Sequence, residues 1–70
     1  MEEKNYFKEN LKMLRNEDGL SQDKLATLLG TSKSTISCWE TGEREPGMRS
    51  LIKLAKFFKV SIDYLVGLEK

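Results

Sequence analysis

Apolar residues recur along this chain in five short blocks, each at helical spacing. Phe7, Leu11 and Leu14 stand four and three residues apart, which puts them on one stripe. They predict a first helix over Asn5–Glu17, with Gly19 supplying left-handed backbone at its exit. Leu25, Ala26, Leu28 and Leu29 predict a second helix over Gln22–Leu29. Ser21 is its N-cap and Asp23 suits the positive end of its dipole. Lys24 stands where a full capping box would place Glu or Gln, and Leu20 can act as a hydrophobic staple. A third helix over Ser32–Glu40 follows Gly30, opens near Ser32 and ends at Thr41-Gly42. Its inward side carries Ile36 and Trp39.

Pro46 and Gly47 break the chain before a fourth helix, Met48–Lys59. Its stripe is Met48, Leu51, Ile52, Ala55 and Phe58, widened by Leu54, with Phe57 adjoining. Arg49, Lys53 and Lys56 lie opposite, as solubilising charge or as a catch for phosphates. Ser61 caps a short fifth helix, Ile62–Val66, stopped by Gly67 and followed by a ragged tail, Glu69-Lys70. Five helices with short links use the whole chain. The expectation is a compact all-α fold, one domain over residues 1–70 with a core from about 5 to 67.

Only Gly30 and its neighbours separate the second helix from the third. Helices so closely linked cannot lie flat on each other and must cross steeply, as in a helix-turn-helix. Ile36 and Trp39 hold the third helix from behind, leaving Lys33, Ser34, Ser37 and Cys38 on its polar face. A face of this kind can enter a DNA major groove.

Composition narrows the alternatives. A chain of 70 residues buries roughly 60% of its extended surface, so its stability is modest. Cys38 is the only cysteine and histidine is absent, which excludes a disulfide framework and a zinc site of Cys and His ligands. No nucleophile–base pair stands out, so no enzyme activity and no cofactor or metal are expected. No apolar run is long enough to span a membrane, and the start of the chain lacks the regions of a signal peptide. A reducing, cytoplasmic setting is expected. The net charge is only +1, but it is uneven: residues 48–70 carry five basic against two acidic side chains. Residues 1–47 carry seven against nine. A near-neutral protein can bind DNA through one basic face, at some loss of long-range steering.

The motifs, taken in order, resemble the lambda-repressor-like, Cro/C1 (XRE) type helix-turn-helix family. They include Leu14-Arg15, Gly19-Leu20-Ser21-Gln22, Leu29-Gly30, Ser34-Thr35-Ile36-Ser37, Trp39-Glu40, Glu45-Pro46 and Asp63-Tyr64-Leu65-Val66-Gly67. The likeness covers roughly Phe7 to Gly67. It implies a five-helix DNA-binding fold with the helix-turn-helix at helices two and three. It also implies a regulator, most often a repressor, that binds a palindromic double-stranded DNA operator as a homodimer without a small-molecule ligand.

Carried over residue by residue, Lys33, Ser34, Ser37 and Cys38 match base-reading positions. Cys38 departs from the amide or basic residue frequent in the family. It can touch a thymine methyl, face the interior or leave the groove unread. Gln22, Ser32, Thr41, Arg44 and Arg49 match phosphate-contacting positions, and Gln22 can also brace a base reader. Arg15 and Glu40 match a structural ion pair between helices one and three; from the residues alone, Arg15 could equally snorkel. Phe57, Tyr64, Val66 and Leu68 are candidates for a dimer patch. Two rival roles are a protein-interaction or antitoxin-like module with weak DNA affinity, and activation through Asp23, Glu43 and Glu45.

Overall fold

The computed structural model describes residues 6–68. Five helices follow in order: α1 Phe7–Glu17, α2 Gln22–Leu29, α3 Lys33–Thr41, α4 Met48–Phe58 and α5 Ile62–Val66. There is no strand among the described residues. The expected start of helix one at Asn5, and the tail at Glu69-Lys70, lie outside the described residues.

Serines open three of these helices. Ser21, Ser32 and Ser61 each adopt extended backbone and accept the N–H three residues on, from Lys24, Thr35 and Tyr64. Each bond satisfies one donor that the helix cannot use internally. Four helices close in a common way. The residue after a left-handed one donates its N–H five residues back: Leu20 to Arg15, Thr31 to Ala26, Val60 to Ala55 and Leu68 to Asp63. Glycine supplies the left-handed residue in three of the four. In α4 it is Lys59, at φ 59°. Holding a non-glycine residue there costs on the order of 1 kcal/mol. Lys59 is therefore the cap of α4 and not its last turn, which shortens the expected helix by one residue.

Every helix places one aliphatic side chain at the centre. Leu11, Leu25, Ile36, Leu54 and Leu65 are each fully buried, one from each of α1 to α5. Phe7, Leu14, Ala26 and Trp39 complete the buried cluster, and Leu20, Leu51 and Phe58 pack against it. Phe7 and Trp39 meet edge to face, 6.4 Å between centroids at 75°, which favours the positive ring edge on the negative face.

The buried side of α4 differs from the expected stripe. Met48 is 65% exposed and Ile52 41% exposed, whereas Leu54 is the fully buried residue. The apolar stripe of this helix is wide, and the side bearing Leu51, Leu54, Ala55 and Phe58 is the one that packs. The face that packs is the one fixed by α5 and by Lys53, whose Nζ donates to the Leu29 carbonyl at the end of α2. Asn10 ties the other end, its amide donating to the Tyr64 and Leu65 carbonyls. At that junction Gly67 has φ 86°, and a Cβ there would stand 2.6 Å from the Tyr6 ring. The short α5 is thus clamped to the start of α1.

Trp39→Ala is expected to cost about 3–5 kcal/mol by urea denaturation, as for other aromatic truncations in cores. A chain of this size has roughly 3.5–10 kcal/mol in total, so the variant should be largely unfolded or marginal at 37 °C. Wild-type stability would remove Trp39 from the core.

Candidate nucleic-acid interface

Helix α3 divides by side. Ile36 and Trp39 are buried, at 0% and 7% exposure, and face α1 and α2. At 100° per residue, positions 34, 37, 38 and 41 fall on the opposite side, and position 33 lies at its edge. Lys33, Ser34 and Thr41 are exposed there, and Ser37 and Cys38 are half-buried. The nine residues of α3 span roughly 13 Å, and a helix of ordinary diameter fits a major groove about 12 Å wide. Lysine and serine can donate to guanine acceptors, and serine can also accept.

The back of α3 is fixed by charge as well as packing. Arg15 Nε donates to Glu40 Oε2 at 2.6 Å, and its Nη2 donates to Oε1 at 2.9 Å. The Arg15 and Glu40 side chains are only 11% and 4% exposed. Arg15 Nη1 also donates to the Leu20 carbonyl, in the link between α1 and α2, at 2.8 Å. Gln22 Nε2 donates to Glu40 Oε1 at 3.1 Å. One buried carboxylate thus joins α1, α2 and α3. Burial pushes the Glu40 carboxyl up, but hydrogen bonds from Arg15 and Gln22, with the charges of Arg15 and Lys12, outweigh it and hold it below the usual value. The hydrogen bond to Glu40 raises Arg15 against an opposing effect of burial, so the guanidinium stays charged.

Three of the other candidate residues, Gln22, Ser32 and Thr41, have local roles already. The Ser32 hydroxyl caps α3 and lies 2.9 Å from Thr35 Oγ1. Thr41 Oγ1 lies 3.2 Å from the Cys38 carbonyl and 3.1 Å from Glu43 Oε1, so it holds the turn that leaves α3. The Cys38 carbonyl also accepts from the Gly42 and Arg44 N–H groups. Arg44 and Arg49 are exposed and form no ion pair with a described residue. Arg44 lies in the loop after α3, and Arg49 in the first turn of α4. Gln22 is engaged with Glu40 at the N-terminus of α2, where free N–H groups favour an anion. Lys53 and Asn10 were legible only as surface polar residues; their partners lie 24 residues or more away in sequence.

No set of His, Cys, Asp or Glu among the described residues could hold a metal ion. None of the described helices is long and apolar enough to cross a membrane.

The helix-turn-helix family model matches residues 11–65, most of the chain. The chain belongs to the Cro/C1 (XRE) type helix-turn-helix family. It is similar to the transcriptional activator BcrR of Enterococcus faecalis, at 44% identity over 64 residues, covering 91% of this chain and 31% of BcrR. It is also similar to the phage CTXphi transcriptional repressor RstR of Vibrio cholerae, at 37% identity, covering 87% of this chain and 55% of RstR. The chain therefore spans less than two thirds of the length of either relative.

Among solved structures, a transcriptional regulator from Listeria innocua superposes with a TM-score of 0.87 at 40% identity, over 93% of this chain and 61% of that one. The P22 c2 repressor in complex with a synthetic operator superposes with a TM-score of 0.81 at 33% identity. That match covers 86% of this chain and 91% of the repressor chain. The relatives and the fold are those of transcriptional regulators with a DNA-binding helix-turn-helix, not of enzymes.

The Glu40 geometry generates a pH dependence. A carboxyl held low in the folded state stabilises the fold above its unfolded value of about 4.3, and that contribution is lost as pH falls through the folded value. Denaturation at stepped pH should therefore show a flat contribution near neutrality and a decline below about pH 4. In Glu40→Gln that decline should shrink. An identical acid profile in both proteins would contradict the buried pair.

Proposed function

We propose that this chain is a sequence-specific double-stranded DNA-binding unit of a cytoplasmic transcriptional regulator, acting as a homodimer on a palindromic operator and repressing by occupying it. The observation that carries this reading is the division of α3, with Ile36 and Trp39 buried behind an accessible Lys33 and Ser34. Its likeness to an operator-bound repressor supports the same use of that face.

Lys33, Ser34, Ser37 and Cys38 read bases in this proposal. Ser34 is the more tolerant reader, because a hydroxyl both donates and accepts. Gln22, Ser32, Thr41, Arg44 and Arg49 contact backbone phosphates and set the register. Ser32 and Thr41 do so while keeping their turns, since a hydroxyl oxygen has two lone pairs beside its proton. Glu43 and Glu45 limit the loop's attraction for phosphate, so binding depends on few contacts. In a dimer the two α3 helices are spaced by about 34 Å, one turn of duplex. Leu68, 75% exposed beside the half-buried Tyr64 and Val66, supplies apolar surface for the dimer contact. We also take residues 1–70 as one domain of a protein whose relatives are longer.

A second reading, activation, is favoured by the likeness to an activator and by the exposure of Asp23, Glu43 and Glu45. A reporter with the operator upstream of a promoter, in place of across it, separates the two. Activation raises the signal, and simple occupancy leaves it unchanged.

Selection of bound duplexes from a random library tests the main reading. The expected product is a symmetric site with half-sites about 10 base pairs apart. No enrichment over random duplex would reject it. On the enriched site, Lys33→Ala should weaken binding unevenly across single base-pair variants, by about 1–3 kcal/mol where Lys33 meets guanine. Even weakening across all variants would reassign Lys33 to phosphate.

A further inference from the structure

The seam between α1 and α3 ends in a small cavity outside the base-reading face. Its volume is about 200 Å³, and Phe7, Lys8, Trp39, Gly42, Arg44 and Glu45 line it. Phe7 and Trp39 make its apolar floor. Lys8, in the first turn of α1, lies directly against the residue that ends α3. A Cβ at Gly42 would stand 3.3 Å from Lys8 Cδ and 3.6 Å from its Nζ. A side chain at Gly42 would push the lysine stem aside by a few tenths of an ångström. Arg44 reaches the same cavity from the loop, so two cations face one carboxylate, Glu45.

The charge of Lys8 is also available. Lys8 is exposed and makes no ion pair with a described residue. Glu43, the other acid of this loop, accepts a hydrogen bond from Thr41 and does not line the cavity. Lys12, one turn further along α1, does not line the cavity, and its charge is the smallest of the influences that lower Glu40.

We propose that Lys8 is a phosphate contact: with Arg44 it grips a backbone phosphate of bound duplex beside the C-terminal end of α3, extending the interface from the helix-turn-helix onto α1. The inference rests on the DNA-binding reading above. It goes beyond that reading by adding a cation from a helix outside the helix-turn-helix. A phosphate suits the pair, because an ammonium and a guanidinium from two elements line one cavity beside the C-terminal end of α3. The contact carries no base information and acts on affinity alone.

The test is a salt series on the duplex enriched from the random library, with wild type, Lys8→Gln and Lys8→Arg. The plot of log affinity against log salt should lose about 1.8 of its slope in Lys8→Gln, about 0.9 for each subunit of the dimer, which amounts to roughly sixtyfold weaker binding at 0.1 M salt. The loss should be even across base-pair variants, Lys8→Arg should keep the wild-type slope, and all three proteins should melt alike. An unchanged slope in Lys8→Gln, with wild type still preferring the enriched duplex, overturns this contact and leaves the DNA-binding reading standing. A lowered melting temperature with an unchanged slope also overturns it, making Lys8 a stabiliser of the α3 terminus only. A wild type without preference or salt dependence overturns both.

Discussion

The orientation of α3 depends on one buried carboxylate. Glu40 takes two hydrogen bonds from Arg15 on α1 and one from Gln22 on α2, while Arg15 also holds the Leu20 carbonyl between those helices. Apolar packing through Ile36 and Trp39 keeps α3 on the domain, but such packing tolerates small rotations. A bidentate guanidinium–carboxylate pair does not, because its two parallel bonds require one plane and one distance. Removing two charges from water offsets much of what the pair gains. Its main effect is therefore on geometry: it sets which side chains of α3 look outward.

That constraint links the fold to the proposed function. Reading bases requires Lys33 and Ser34 to arrive at defined positions, and a rotation of one residue position would exchange them for side chains now turned inward. The loop after α3 is fixed in a related way, by three hydrogen bonds converging on the Cys38 carbonyl, from the Gly42 and Arg44 N–H groups and the Thr41 hydroxyl. That loop is thus tied to the helix that carries the proposed reading face. Little net charge is needed when the few contacts are preorganised, which suits a chain of net charge +1.

Much of the architecture was legible in the sequence because its signals are local. The serine caps at Ser21, Ser32 and Ser61 and the stops at Gly30 and Gly67 set the bounds of α2 and α5 and the start of α3 without tertiary information. The face of α4 was not legible in the same way. The apolar stripe of that helix is wide, and which part of it is buried, Leu54 in place of Met48 and Ile52, follows from its neighbours. Lys59 carried no glycine-like signal for left-handed backbone. Pairs such as Lys53 with Leu29, or Asn10 with α5, are long-range and leave no periodic trace. Arg15 and Glu40 stand 25 residues apart, and only family resemblance brought them together before the structure did. Lys8 read as an ordinary exposed lysine because its neighbour Gly42 lies 34 residues away in sequence.

The most direct test of this account replaces both charges at once, as Arg15→Met with Glu40→Leu, and measures two quantities on one protein. Stability should stay close to wild type or rise, since apolar substitution of a buried pair is often neutral or favourable. Preference for the enriched duplex over random duplex should fall by about tenfold or more, because α3 is then held by packing alone. Wild-type preference in a stable double variant would contradict the claim that this pair aims the reading face.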